Sequence, residues 1–234
     1  MSASIDTSQK TLLSTKKLAE HQKQLLLNSG LGLVEYDFIS VKPQSFEINI
    51  IPRNLIFSSK NAVLAVLDHP KVDLLKERKS FAVGVKTSAL LRENGFTIAR
   101  IANNAEELAY EIKEFHKMEE FMFFCGKKRL DAIPSQLREN GIGLTEVEVY
   151  DTILKPKKFD RIFDGVLFFS PSGVESYCSE NDLSESIAFC IGNTTASEAK
   201  KYTNQVVIAS NPSIENVIVQ AVKKLGKKQW PGSL

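Results

Sequence analysis

The chain has 234 residues, 43% of them hydrophobic and 25% charged, and 30 Lys and Arg against 28 Asp and Glu leave a formal net charge of +2. These values are typical of a globular protein and exclude a disordered, collagen-like or disulfide-scaffold chain. The balanced charge argues against a protein that coats nucleic acid. We therefore expect one large or two smaller globular domains with no nucleic-acid partner.

The cysteines and the hydropathy pattern indicate where such a protein works. Cys125, Cys178 and Cys190 are an odd number without CxxC spacing, which argues for a reducing cytosol and against disulfides or a cysteine zinc site. Cys178 and Cys190 are predicted to be buried thiols. The polar start of the chain lacks the apolar core of a secretory signal, and no apolar run reaches the roughly 18 residues of a membrane span. We expect a cytoplasmic protein with no membrane partner.

Short β-branched and aromatic runs alternate with amphipathic segments along the whole chain. Strands are predicted at residues 11–14, 33–41, 54–58, 80–85, 97–102, 120–125, 144–152, 165–170, 187–191 and 205–209. Apolar residues at helical spacing predict helices between them, most clearly at 105–115 and 213–225. This alternation predicts an α/β protein whose sheets are mainly parallel and flanked by helices.

Two of the predicted strands differ from the others. Residues 33–41 and 144–152 are long and half-polar, and each runs into a Lys-Pro pair, Lys42-Pro43 or Lys155-Pro156. Proline cannot donate to a ladder, so both strands should stop there. Because long polar strands are poor buried sheet members, we expect these linker strands, 33–43 and 144–156, to form a two-stranded β-ladder hinge.

The strongest signal is internal repetition. The segment FSSKNAV at 57–63 matches FFSPSGV at 168–174 with an offset of 111 residues, and residues 25–38 match 136–149 at the same offset. VGVKT at 83–87 matches IGNTT at 191–195 with an offset of 108. Matches that keep one order along the chain predict two copies of one α/β unit.

The Lys-Pro pairs fall inside the repeats, which predicts a chain that starts one domain, crosses to build the second, and crosses back. Domain one would be discontinuous, with residues 1–40 and 156–234, and domain two would be 44–148. The antiparallel linker strands would supply the two crossings. The placement of 44–52 stays open, and the run Lys227-Lys228 in the 227–234 tail is predicted to be solvated.

The repeated motifs place polar residues at helix starts that follow strand ends. In open α/β sheets, anions bind there, because helix N-termini present unpaired N–H groups. Ser59, Ser172, Thr87 and Thr195 are predicted to cap these helices, and Gly84 and Gly192 would let a ligand approach the backbone. These hydroxyls could be helix caps only or parts of an anion site facing a cleft.

Other motifs that could carry chemistry are incomplete. VGVKT resembles the end of a P-loop, but Lys79 stands where its first glycine would be. His21, His69 and His116 lack metal-ligand spacing and are predicted to be ordinary surface histidines. The sequence therefore predicts no metal site and no cofactor motif.

These residues together resemble the uroporphyrinogen-III synthase family. The resemblance rests on LIFSSKNAV at 55–63, FFSPSGV at 168–174, IGNTTA at 191–196 and VEVYDT at 147–152, and it runs over nearly the whole chain in the family's order. It implies two α/β domains joined by a two-stranded ladder, with a discontinuous first domain. Asn193 stands where the family usually has proline, which loosens that turn.

The resemblance also implies an activity, that of a cofactor-free carbon-oxygen lyase of tetrapyrrole (haem) biosynthesis. Such an enzyme closes hydroxymethylbilane, a linear tetrapyrrole, to uroporphyrinogen III with loss of water and inversion of the last ring. Without the enzyme the substrate closes to the type I isomer. A polycarboxylate substrate of this size calls for many N–H and hydroxyl donors around an interdomain cleft.

The resemblance carries roles over to particular residues. Tyr150 matches the family's tyrosine at the linker and would assist hydroxyl departure as a donor or proton relay, or else pack by its ring alone. The residues expected to bind substrate are Ser59, Lys60, Gly84, Lys86, Thr87, Gly126, Lys127, Thr152, Ser170, Ser172, Gly192, Thr194 and Thr195. We expect a monomer.

Two rival classes are compatible with a two-domain α/β plan. A non-catalytic binding protein for a polycarboxylate could use the same donors, but it would have less need of Tyr150 and Thr152 at the hinge. A nucleotide-dependent or glycosyltransferase-like enzyme would need a diphosphate loop or an acidic metal motif such as DxD, and the sequence contains neither.

Overall fold

The computed structural model of the chain describes residues 9–129 and 131–226, so the Lys227-Lys228 prediction lies outside the described residues. The chain divides into two compact units. One consists of the segment that ends at Ser40 together with the segment that begins at Ile153, and the other is Val41–Thr152. Each unit has its own sheet.

The described residues form eleven strands and nine helices, in alternation along most of the chain. The strands are β1 (Thr11–Ser14), β2 (Gly32–Glu35), β3 (Ile39–Pro43), β4 (Asn54–Phe57), β5 (Lys79–Val83), β6 (Thr97–Ala102), β7 (Glu120–Gly126), β8 (Gly143–Leu154), β9 (Gly165–Phe168), β10 (Ile187–Cys190) and β11 (Val206–Ile208). The helices are α1 (Glu20–Leu27), α2 (Lys60–Leu67), α3 (Val72–Lys76), α4 (Val85–Glu93), α5 (Ala105–Phe115), α6 (Ala132–Glu139), α7 (Pro171–Cys178), α8 (Asn193–Ala199) and α9 (Ile214–Leu225). None of these helices has the length and apolar character that crossing a bilayer requires.

The first unit contains a five-stranded parallel sheet with helices on both faces. Its strand order is β11-β10-β9-β1-β2. Leu13, Val166 and Phe168 belong to one core cluster, and Leu12 and Leu167 belong to the other. Successive strand residues thus alternate between the two faces, and both faces are buried, which explains why these strands are short and continuously apolar.

The second unit contains a six-stranded sheet in the order β3-β8-β7-β4-β5-β6, in which β4 to β8 pair in parallel. β7 sends Met122 and Phe124 into one core cluster and Phe121 and Phe123 into the other. Phe57 of β4 stacks on Phe124 with ring centroids 5.2 Å apart. Two sheets dominated by parallel pairs and flanked by helices confirm the predicted α/β class.

The predicted strand at 33–41 is two strands, and the prediction of one is wrong. β2 ends at Glu35, and β3 begins at Ile39 in the other sheet. Between them Phe38 is fully buried, with its ring 4.9 Å from Tyr36 and 5.5 Å from Tyr177. Because the buried Phe38 ring packs among these aromatic side chains, the chain leaves the first sheet before β3 begins.

β8 is a member of the second sheet, although its long polar sequence favoured a connector between domains. β8 pairs in parallel with β7 from Gly143 to Tyr150 and has β3 as its other neighbour. Its polar alternation reflects a partly covered face, on which Glu146 forms ion pairs with Arg129 and Arg138. The predicted stops at both Lys-Pro pairs are confirmed, since β3 and β8 end there.

The internal repeat is confirmed by the bounds of the elements. Shifting β4 and α2 by 111 residues reproduces the bounds of β9 and α7. Gly30 and Gly141, which are also 111 apart, both adopt positive φ before β2 and β8. The two units therefore share one strand–helix plan.

The stretch 44–52, which the sequence left unplaced, covers a face of the second sheet. Phe46 stacks on His69 with centroids 4.7 Å apart and lies 6.1 Å from Phe124. Ile48 is buried in the same core cluster. Apolar residues spaced along an irregular segment thus close a core that helices leave open.

Candidate functional site

In the second unit, the carboxyl ends of four parallel strands carry a row of candidate residues. The register pairs Phe57 of β4 with Ala82 of β5 and with Phe124 of β7. Two residues beyond these three along the chain are Ser59, Gly84 and Gly126, and Gly126 pairs with Tyr150 of β8. These four positions form one level at the edge of the sheet. In sheet order this row is Tyr150, Gly126, Ser59 and Gly84. At roughly 4.8 Å per strand the row extends about 14 Å along the edge where open parallel sheets bind ligands.

Ser59 caps α2, as predicted. Its backbone is extended, and its Oγ accepts a hydrogen bond from the Asn61 N–H at 3.1 Å. The side chain of Lys60, the first helical residue, is exposed. A free N-terminal turn beside an exposed cation is suited to a carboxylate ligand.

Gly84, and not Thr87, is the N-cap of α4, so the predicted capping by Thr87 is wrong. Gly84 has φ of 84°, a left-handed conformation that a residue with a Cβ adopts only with strain, and a Cβ built there would meet no atom within 4 Å. Thr87 lies one turn into the helix and is buried. The turn therefore presents open backbone next to the exposed side chain of Lys86.

Tyr150 lies across the end of β7. A Cβ added to Gly126 would be 2.6 Å from Cε2 and Cζ of the tyrosine ring and 2.9 Å from its hydroxyl oxygen. The Lys127 N–H donates to the Tyr150 carbonyl at 3.0 Å, and the Lys127 side chain is exposed. Thr152, two residues further along β8, is half-buried. A phenol and an exposed lysine are therefore found at the carboxyl end of β7.

In the first unit, Ser170 is the N-cap of α7, and the predicted capping by Ser172 is wrong. The Ser170 Oγ accepts a hydrogen bond from the Gly173 N–H at 3.1 Å. Pro171 takes the first helical position, where its fixed φ and missing N–H suit a helix start. Ser172 is therefore inside the helix, and Ser170 is the counterpart of Ser59 in the repeat.

The Gly-x-x-Thr turn of the first unit has the same order of capping glycine and buried threonine as its partner in the second unit, although the backbone conformations of the two glycines differ. Gly192 is the N-cap of α8, with extended backbone, so the predicted capping by Thr195 is also wrong. Thr195 is buried one turn into the helix, as Thr87 is, whereas Thr194 is exposed. A Cβ at Gly192 would meet nothing within 4 Å, so this turn also leaves its backbone open.

Sequence reasoning missed Thr15 at the end of β1. Its Oγ1 donates to the Leu167 carbonyl at 2.8 Å, and its side chain is buried. A Cβ on Gly173 would lie 3.5 Å from Thr15 Oγ1 and 3.3 Å from Ser170 Oγ, so these three residues adjoin at the start of α7. The sequence feature that could have identified Thr15 is its position directly after an apolar strand. It was missed because Thr15 lies outside the two repeated motifs.

The thiols do not supply a nucleophile at neutral pH. Burial raises the pKa of Cys125 to about 11 and the pKa values of Cys178 and Cys190 to about 12, which keeps all three protonated. His69 and His116 are half-buried rather than on the surface. Nδ1 of His116 forms a hydrogen bond with Oε1 of Glu119 at 2.8 Å. Within residues 9–129 and 131–226 no group of His, Cys, Asp and Glu could hold a metal ion.

The two serines of α7 allow a matched test of the capping assignment. Ser170→Ala should lower the free energy of unfolding by about 1 kcal/mol, because the Gly173 N–H loses its acceptor. Ser172→Ala should change it by less than about 0.5 kcal/mol. Urea unfolding of both variants measures the difference. Equal losses would contradict the assignment of Ser170 as the cap.

The fold and these edges define a two-unit, open-sheet α/β protein in which both units offer helix starts and hydroxyls at the carboxyl ends of parallel strands, and the second unit adds exposed lysines. The family model described as uroporphyrinogen-III synthase HemD matches residues 21–218 of the chain. The chain therefore belongs to the uroporphyrinogen-III synthase family.

The chain is also similar to individual proteins. The chain is 26% identical, over an alignment of 239 residues that covers 88% of it, to the porphyrin biosynthesis protein HemD of Ruminiclostridium josui. It spans 45% of the length of that relative. A similar fold is found in the crystal structure of uroporphyrinogen-III synthetase from Helicobacter pylori, with a TM-score of 0.69, 19% identity and coverage of 92% of this chain and 99% of that one. The fold also resembles a mutant uroporphyrinogen III synthase from the extremely thermophilic bacterium Thermus thermophilus, with a TM-score of 0.65, 13% identity and coverage of 92% and 98%.

Proposed function

We propose that the chain converts hydroxymethylbilane to uroporphyrinogen III with loss of water and inversion of the last pyrrole ring. The observation that carries this proposal is the row of Tyr150, Gly126, Ser59 and Gly84 at one sheet edge, on a chain of this family. The reaction loses only water and involves no net oxidation or reduction, so it needs no redox cofactor.

The reaction needs the protein for two purposes only, to assist loss of the hydroxyl and to direct the ring closure. Once the hydroxyl has left, the azafulvene-like cation is reactive by itself and closes without help to the type I isomer. The enzyme must assist the departure and hold the chain so that the substituted carbon of the last ring attacks. The resulting spiro intermediate then opens and recloses with that ring inverted.

Tyr150 is the proposed proton relay. Its phenol would donate a hydrogen bond to the departing hydroxyl, which leaves as water once it gains a proton. Tyr150 is half-buried and packs against the core cluster that contains Phe124. A ring held in this way keeps the phenol in one place, which a donor to a flexible substrate requires.

Each unit offers groups that would bind substrate carboxylates. In the second unit Lys60, Lys86 and Lys127 follow the edge row, and among the described residues none of them makes an ion pair. In the first unit the helix starts at Ser170 and Gly192 supply N–H groups and hydroxyls. The proposed set keeps the accessible residues and omits the buried Thr87 and Thr195 as direct ligands.

A charge variant tests this binding role. Replacing Lys60, Lys86 and Lys127 together by Gln should raise KM about tenfold at low salt with little change in kcat, because each exposed pair contributes up to about 1 kcal/mol. Added salt should reduce the difference, because it screens exposed charges. Lys117→Gln, at the amino end of β7, is the control. An unchanged KM in the triple variant would remove these lysines from the site.

We also propose that the two compact units are the two domains of a monomeric enzyme that works in the cytoplasm. One chain supplies both sheet edges, and Cys125, Cys178 and Cys190 are free thiols, which suits a reducing compartment. Light scattering of the purified chain tests the monomer.

The reaction itself is tested by a coupled assay. Hydroxymethylbilane is supplied, the products are oxidised to porphyrins, and the ratio of type III to type I isomers is read by chromatography. A dominant type III product would establish both the cyclisation and the ring inversion. Type I alone, formed at the uncatalysed rate by a folded protein, would overturn the proposal and favour a polycarboxylate-binding protein.

A further inference from the structure

The contact between Gly126 and Tyr150 is closer than any other residue type would allow. The ring atoms Cε2 and Cζ lie 2.6 Å from the point where a Cβ on Gly126 would be. Non-bonded carbon atoms prefer separations of about 3.5–4.0 Å, so a methyl group at this position and the present ring cannot coexist. The tyrosine ring therefore lies directly on the backbone of β7.

A β-bulge creates this contact. The register pairs Cys125 with Glu148 and then Gly126 with Tyr150, so that Val149 is the extra residue of β8. Without the bulge, Val149 would face Gly126. Bulges near functional sites redirect side chains in this way, and here the redirected side chain is the proposed proton relay.

The Tyr150 ring cannot make room for an added methyl group by moving further into the core. Tyr150 packs against the core cluster that contains Phe57, Phe124 and Val149, and its backbone carbonyl accepts the Lys127 N–H. Protein interiors are close-packed and transmit strain instead of absorbing it. An added Cβ would thus push the ring outward from β7 and displace its hydroxyl.

We propose that Gly126 is a positioning residue that fixes the Tyr150 hydroxyl over the end of β7. This inference rests on the proposed function and revises the expectation that Gly126 contacts the substrate. Gly126 acts through the tyrosine: because it has no side chain, the Tyr150 ring can lie on the backbone of β7, and this placement sets the position of the hydroxyl.

The kinetic test is a double-mutant cycle in the coupled assay. Gly126→Ala should lower kcat at least about tenfold with KM within about twofold, because a misplaced catalytic group costs rate more than binding. In a Tyr150→Phe background, Gly126→Ala should cause less than about a twofold further loss, since the hydroxyl it misplaces is absent. Gly143→Ala is the control on the same strand pair, because its Cβ would come closest to Cγ of the flexible Glu120 side chain, at 3.1 Å, and would lie at an ordinary contact distance of 3.7 Å from the Glu120 Cα. It should leave kcat unchanged.

Two outcomes would overturn the positioning role. One is a Gly126→Ala loss that multiplies with the Tyr150→Phe loss, which would mean that the glycine acts independently of the hydroxyl. The other is a rise in KM at constant kcat, which would return Gly126 to direct substrate binding.

A stability cycle tests the contact even if the single variant loses activity by unfolding. Gly126→Ala should lower the folded-to-unfolded ratio at least about tenfold in the natural chain, because the added methyl group overpacks the space that the Tyr150 ring occupies. In a Tyr150→Ala background the same change should cost less than about threefold. Equal costs in both backgrounds would overturn the inference. This cycle does not depend on catalysis, so a natural chain that forms only the type I isomer would refute the proposed function separately.

Discussion

Replacing Tyr150 by phenylalanine should lower kcat about 100-fold while KM stays nearly constant. The substitution removes one oxygen and keeps the ring, so the packing of Tyr150 on Gly126 and on the core cluster around Phe124 is preserved. General acid assistance to a leaving group contributes roughly 10²–10⁴-fold in rate. We expect a loss at the lower end of this range because the substrate is intrinsically reactive. The product ratio should shift toward the type I isomer, since uncatalysed closure competes better with a slower enzyme.

The coupled assay with both isomers resolved measures this result. Tyr110→Phe is the matched control, because Tyr110 is an exposed residue of α5 at 57% accessibility and lies outside the proposed site. It should leave kcat and the isomer ratio unchanged. Natural turnover in Tyr150→Phe would leave the tyrosine a packing role only, and the inference about Gly126 would then lose its kinetic part but not its structural part.

The α/β class could be predicted from the sequence because parallel strands and amphipathic helices leave local signals. The spacing of apolar residues in α5 gave bounds that the structure reproduces, and the 111-residue repeat identified the strand–helix units that recur. Both signals come from residues that are close in sequence. Burial on one face of a helix requires a period near 3.6, and this requirement does not depend on what lies on the other side of the core.

The helix caps show where a local signal was present but misinterpreted. Both Ser170 and Ser172 can cap a helix, and the prediction chose Ser172. Pro171 decides, because proline favours the first helical position and thus makes the preceding residue the cap. At the Gly-x-x-Thr turns no such residue is present, and the burial of Thr87 and Thr195 depends on packing beyond the motif.

Features set by distant contacts could not be predicted from local patterns. The break between β2 and β3 depends on burial of Phe38 against Tyr177, which lies far away in the sequence. The row at the second sheet edge depends on strand order and register, and its place for Tyr150 depends on the bulge at Val149. The resemblance pointed to Tyr150, but only the register shows that its partner on β7 is a glycine.

Phe124→Ala should destabilise the second unit by about 3–5 kcal/mol, which is the usual cost of emptying a fully buried phenylalanine site. Phe124 stacks on Phe57 at 5.2 Å and contacts Phe46, the residue with which the irregular stretch 44–52 closes this core. The cavity would therefore loosen the sheet and its irregular cover together. Both neighbours are large rings fixed by further contacts, so the site cannot collapse to refill the volume.

Phe115→Ala provides the matched control, since Phe115 ends α5 and is 69% exposed. It should change the free energy of unfolding by less than about 0.5 kcal/mol. Denaturant unfolding, monitored by hydrogen exchange at the amides of β4 and β7, measures both effects within the second unit. This local measurement is needed because a chain with two compact units need not unfold in one step. The Phe124 variant should also lose turnover at temperatures where it remains folded. Phe124 lies on β7, and the same strand carries Gly126, on which the Tyr150 ring packs. Equal stability losses from the two phenylalanines would show that the β4–β7 aromatic stack is not the centre of this core.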